Sequence, residues 1–282
     1  MKRNAYADST IEATGKRLRN LAKNCDLTDP ESIKAYVAQM KCSNGFKESL
    51  IEAYDILIRA SGGIWSKPFY ERYDRLPKIP SEERLNMLIS NASKRMSLVL
   101  SMMRDLGTRP IELTWLKVRD LDLERGIVNI TSAKYCVGRA VKLKSTTLDM
   151  LKQYILRKGL RLDDRLFPVK SSSLSESYRK LRNRLSVKLQ DPVFRTIRLY
   201  DWRHFKASMT YHQTKDLMLV RSILGHRDLR TTLRYVQLLG DLGSDEWIVK
   251  ATSDVKEVCQ LVEHGFQYVT DIDGLKIFRK PK

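Results

Sequence analysis

Phe46 to Ala60 is an apolar-rich stretch that reads as one helix, stopped by the Gly62-Gly63 pair. Upstream, Asp29 caps a second helical segment that has Pro30 at its first position, where a missing N–H costs nothing. The helical pattern is interrupted at Tyr73-Asp74-Arg75-Leu76-Pro77-Lys78-Ile79-Pro80, where two prolines mark the best domain boundary. Ser81 opens the next helix, with Glu82 and Glu83 placed in the first turn as the helix dipole favours. Ile127 to Ile130 and Ala140 to Leu143 read as short strands flanking a turn inside an otherwise helical region. Trp202, Phe205 and Met209 form an apolar stripe on another helix, with Tyr200 one turn before Arg203 and so on the same face. Leu229, Leu233 and Val236 fall on a further helical stripe, which predicts that Tyr235 points away from the core.

Beyond residue 240 the pattern changes again. Trp247 to Ala251 reads as a strand, and Asp254 with Glu257 opens a helix that runs to Glu263 and stops at Gly265. Tyr268 to Phe278 reads as a hairpin turning at Asp273-Gly274. The predicted fold is therefore mainly α with a small β-hairpin sheet. Its parts are a helical domain over residues 1–78, a larger domain over 79–239 and a small α+β appendage over 240–282.

Charge sharpens this division. The chain carries 52 Lys+Arg against 33 Asp+Glu, a formal net charge of +19 on 282 residues. Residues 1–80 hold 14 basic and 10 acidic side chains, residues 81–235 hold 32 and 15, and residues 236–282 hold 6 and 8. The excess sits in the middle segment and calls for an anionic partner, of which nucleic acid fits best. An acidic lipid surface fits poorly, because no basic stripe is paired with a strongly apolar face.

Cys25, Cys42, Cys136 and Cys259 lie far apart and form no CxxC pair, so neither a structural zinc site nor a disulfide framework is expected. The amino terminus lacks the apolar core of a signal peptide, and no segment approaches the ~20 apolar residues of a membrane helix. These features predict an intracellular protein of the cytoplasm and nucleoid, with no cofactor, metal or small-molecule ligand.

Candidate chemistry lies in the basic segment. Leu224-Gly225-His226-Arg227-Asp228-Leu229-Arg230-Thr231-Thr232-Leu233 closes on Tyr235, and Arg203 stands 32 residues before that tyrosine. Gly107-Thr108-Arg109-Pro110-Ile111-Glu112-Leu113 and Ala133-Lys134-Tyr135-Cys136-Val137-Gly138-Arg139-Ala140-Val141-Lys142-Leu143 precede them. In this order and spacing the motifs resemble the catalytic domain of the tyrosine recombinase, or phage-type integrase, family over roughly residues 80 to 238. Arg109 and Arg203 resemble its two arginines, Lys134 its hairpin lysine, His226 its Leu-Gly-His histidine and Tyr235 its nucleophile. One position departs: the family usually has a histidine where this chain has Tyr200, a replacement similar to that in archaeal integrases.

The resemblance implies a reaction in which Tyr235 attacks a DNA phosphate and retains the broken bond's energy in a phosphotyrosyl link, without ATP. Arg109 and Arg203 would hold the non-bridging oxygens, since a guanidinium stays charged and donates in pairs. His226 would donate to the same phosphate. Lys134, on a hairpin, would protonate the 5′-oxygen leaving group, with Lys142 and Lys144 as the alternative lysines. Tyr200, if it faces the site, donates a hydrogen bond well but accepts protons poorly at neutral pH, which leaves the base for Tyr235 open. Arg119, Arg139, Arg198, Arg227 and Arg230 are expected only as DNA-backbone contacts or solvated charge.

By the same resemblance the first domain closes a clamp on double-stranded DNA, and four protomers assemble on two sites. The slightly acidic appendage then docks on a neighbouring protomer or covers its own domain. Two other readings stay open: a type IB topoisomerase, which would act as a monomer, and a non-catalytic DNA-binding protein of the same fold.

Overall fold

The computed structural model describes residues 1–72, 76–133, 136–233, 235, 247–272 and 275–281. The chain divides into two compact units, Met1–Arg75 and Leu76–Lys282. The fold is mainly helical with two small antiparallel sheets.

The first unit holds α1 (Asp8–Ala22), α2 (Pro30–Gln39) and α3 (Asn44–Ala60). As the sequence indicated, the Asp29 carboxylate accepts from the backbone N–H groups of Glu31 and Ser32, and Pro30 occupies the first turn. Leu21, Ile33, Val37, Leu50, Ile51 and Tyr54 close its core.

The second unit is built around α5 (Lys94–Leu106), which follows α4 (Glu82–Ser90) and is buried along most of its length. Ser81 caps α4 by accepting from Arg84 N. Next come α6 (Pro110–Trp115), a sheet of β1 (Leu121–Asp122), β2 (Ile127–Ile130) and β3 (Arg139–Lys142), and then α7 (Ser145–Lys158), α8 (Ser171–Lys188) and α9 (Leu199–Thr214). Strand β3 pairs with β2 from Ile127↔Lys142 to Ile130↔Arg139 and begins one residue earlier than its apolar pattern implied. Trp202 is fully buried and donates from its indole N–H to the Tyr178 hydroxyl, which fixes α9 against α8. The short helices α10 (Leu217–Leu224) and α11 (Arg230–Leu233) follow.

The appendage contains β4 (Trp247–Thr252), α12 (Val255–Glu263), β5 (Gln267–Ile272) and β6 (Leu275–Pro281), with strand order β4-β6-β5. Asp254 caps α12, and Leu261 and Phe278 are buried, whereas Val255, Val262 and Tyr268 are exposed. The turn expected at Asp273-Gly274 lies outside the described residues. Among the described residues, no helix is long and apolar enough to cross a membrane.

Candidate nucleic-acid cleavage site

The site is assembled where α5 and α10 end. Both stop at glycines in the left-handed region, Gly107 with φ 60° and Gly225 with φ 65°, a conformation that costs other residues strain. Space forbids a side chain at Gly225 independently, because a Cβ there would lie 2.5 Å from the Val137 carbonyl oxygen. That close approach lets Val137 N donate to the Gly225 carbonyl at 3.2 Å, which ties the strand-connecting loop to the turn carrying His226.

Arg203, rigidly held on α9 with 0% exposure, donates from Nη1 to the Gly107 carbonyl at 2.7 Å and from Nη2 to the Leu224 carbonyl at 2.6 Å. One guanidinium thus clamps both helix ends that carry the other candidate groups. Its Nε–H is buried with no hydrogen-bond partner among the described residues.

Glu112 is the electrostatic centre. It lies three residues after Arg109, the residue that precedes α6 at its N-cap, and its side chain has 0% exposure. Oε1 accepts from Arg109 Nη1 at 2.7 Å and Ala133 N at 3.2 Å, while Oε2 accepts from Arg109 N at 2.9 Å and Arg139 Nη2 at 2.8 Å. Arg203 Nη1 stands 4.0 Å from Oε2. Burial pushes the Glu112 carboxyl up, but the hydrogen bonds and charges of Arg139 and Arg109 outweigh it, so the group ends below its ordinary value. Three guanidiniums converge on one carboxylate, which leaves the cluster with two positive charges in excess among the described residues. Arg203 registers this excess: burial first, then Arg109 and Arg139, lower its pKa to about 10. An anion is what such a cluster lacks.

His226 is half-buried, its Nδ1 2.9 Å from Thr232 Oγ1, and with Arg139, Arg221 and Gly225 it lines an open cavity of about 370 Å³. Arg109 Nη2 also donates to Cys136 Sγ at 3.2 Å. Lys134 lies outside the described residues. The alternatives Lys142 and Lys144 line a different cavity together with Asp105 and Lys206.

Two expectations are corrected. Tyr235 does not point away from the core: it is 2% exposed and packs with Ala207, Val220 and Leu224, whereas Leu229 and Leu233 are 37% and 46% exposed. The helical spacing argument fails because α11 ends at Leu233; Tyr235 sits in a turn, its N–H on the Thr232 carbonyl, and the ring swings inward. Its hydroxyl lies 2.9 Å from Nδ1 of His204. Arg139, expected as backbone contact or solvated charge, has a side chain only 4% exposed and belongs to the buried cluster. A period-2 signal was available, since Arg139 shares a strand face with buried Val141.

Tyr200 is 41% exposed and stands edge-on to His204, ring centroids 5.0 Å apart. His204 was not singled out by its motif, although it lies one turn from Tyr200 on the same helix. Of the surface arginines, Arg119 pairs with Asp163 and Arg198 with Asp201.

Residues 79–240 match the model of the phage integrase family. A probable integrase/recombinase protein of Methanocaldococcus jannaschii is 32% identical over 184 residues, covering 60% of this chain and 55% of that protein. The tyrosine recombinase XerA of Saccharolobus solfataricus is 27% identical over 167 residues, covering 58% and 54%. The chain thus spans about half the length of the curated relatives it matches. The same fold occurs in the Tn1549 transposon integrase solved in complex with circular intermediate DNA, with TM-score 0.67, 18% identity and coverage of 83% and 91%. With the family model matching more than half of its length, the chain belongs to the phage integrase family of tyrosine recombinases.

Proposed function

We propose that this protein is a site-specific recombinase that cuts and rejoins double-stranded DNA through a 3′-phosphotyrosyl intermediate. The observation that carries the reading is the convergence of Arg109, Arg139 and Arg203 on the single carboxylate of Glu112, which leaves a preorganised excess of positive charge for one phosphate. In this reading Arg109, Arg203 and His226 hold the scissile phosphate, and Tyr200 borders the site. Tyr235 Oη forms a bond to phosphorus as the bond to the 5′ oxygen breaks, and Lys134 gives that oxygen its proton. A 5′ hydroxyl from another strand reverses the step. A solved neighbour of the same fold holds DNA, which supports a duplex as partner.

Strand exchange needs four such sites, and we assign assembly to a tetramer on two DNA sites. The exposed apolar residues of the appendage, Val255, Val262 and Tyr268, supply surface for docking on a neighbouring protomer. Incubating the protein with two target sites, beside a supercoiled plasmid carrying none, tests the assignment. Recombinant junctions are expected with little relaxation of the plain plasmid; relaxation without junctions would assign a topoisomerase instead.

Binding is also expected to weaken steeply with salt, because each neutralised duplex phosphate contributes a slope of about −0.9 in log K against log salt. A titration giving a slope shallower than about −3 would mean that the basic excess of residues 81–235 does not track the DNA backbone.

A further inference from the structure

Resting on the recombinase reading above, we propose that His204 is the base that takes the phenolic proton of Tyr235. The position at which the family usually has a histidine holds Tyr200, and a phenol is by nature a hydrogen-bond donor where an imidazole can serve as a base. The nucleophile's hydroxyl is already placed on another imidazole: His204 Nδ1 lies 2.9 Å from Tyr235 Oη, within the distance a general base requires. The two rings are 5.8 Å apart and tilted by 50°, and both side chains are buried.

The support for His204 is rigid. It follows Arg203 directly on α9, whose first turn is pinned by Arg198 N donating to Asp201 Oδ2 at 2.7 Å and whose core face is anchored by Trp202. Tyr200 stands edge-on to the imidazole from one turn earlier, with an interplanar angle of 73°, and so borders the ring laterally. Tyr200 and His204 thus lie one turn apart on α9 with their rings in contact. Imidazole is suited to the task because its ordinary pKa lies near neutrality.

Nδ1 of neutral His204 accepts the Tyr235 hydroxyl proton as Oη bonds to phosphorus; the electron pair of the breaking bond leaves with the 5′ oxygen. On rejoining, His204 returns the proton to Oη. The contact lies within one chain, so base and nucleophile come from the same protomer.

His204→Asn separates proton transfer from mere positioning, because the amide oxygen keeps an acceptor near Nδ1 but has no basicity. The variant is expected to bind duplex DNA like wild type and to form covalent adducts about 100-fold more slowly or worse. The defect should persist on a substrate whose 5′ bridging oxygen is replaced by sulfur, a leaving group that needs no proton. A fluorotyrosine at position 235, whose phenol ionises more readily, should recover more rate in the variant than in wild type. His204→Gln serves if the Asn variant loses duplex binding. Near-wild-type cleavage in a variant that binds DNA would overturn the proposal, as would full rescue by the sulfur substrate, which would put His204 at the leaving group. Absence of any adduct in the wild-type protein would instead overturn the recombinase reading itself.

Discussion

Tyr235→Phe is expected to abolish covalent protein–DNA adducts on a nicked suicide substrate while leaving duplex affinity within a few-fold. The substitution removes one oxygen and nothing else. The ring's packing against Ala207, Val220 and Leu224 stays, so the pocket remains filled. The hydrogen bond to His204 is lost, and one intramolecular hydrogen bond contributes about 0.5–1.5 kcal/mol. A modest fall in stability should therefore accompany a complete loss of cleavage, and denaturant unfolding beside the adduct assay separates the two. Adducts that persist in the phenylalanine variant would show that another residue is the nucleophile.

The second large effect is expected at Glu112. Glu112→Gln preserves the shape of the side chain but removes the carboxylate on which, among the described residues, Arg109, Arg139 and Arg203 converge. Breaking a buried ion pair by removing one partner costs about 3–5 kcal/mol, a large share of the roughly 5–15 kcal/mol that stabilises a domain. The variant should unfold at markedly lower urea than wild type at pH 7, and added phosphate should restore part of the difference by occupying the uncompensated cluster.

The pH dependence has a definite sign. Because the folded carboxyl lies below its reference value of 4.5, the stabilisation is fully present above that value and is lost as pH falls through the folded pKa. The gap between wild type and Glu112→Gln should therefore be widest near neutrality and close in strong acid. A gap that stays constant from pH 7 down to strong acid would mean that charge at Glu112 does not stabilise the fold.

Helix starts and the strand pair were legible because they depend on local chemistry. Asp29, Ser81 and Asp254 act as caps wherever their side chains can reach the next backbone N–H groups, and β2 pairs with β3 over an alternation visible in the residues themselves. The excess of basic residues in 81–235 likewise follows from counting, and the order of the Arg109, Arg203, His226 and Tyr235 motifs is a property of the chain.

What composition and spacing left open was which charges meet. Arg139 looked like any other arginine of a basic segment, and only the approach of β3 to α6 brings it within 2.8 Å of Glu112. Tyr235 was placed by a helical period that its turn does not obey, so its inward direction and its contact with His204 come from α9 and α10 packing around it. By itself the sequence determined the helical character, the caps, the strand pair and the family motifs, because each depends on neighbours a few positions away. The tertiary structure decided the buried arginine cluster and the partner of the nucleophile, because these join groups 27 and 31 residues apart whose burial and mutual charge exist only once the helices have packed.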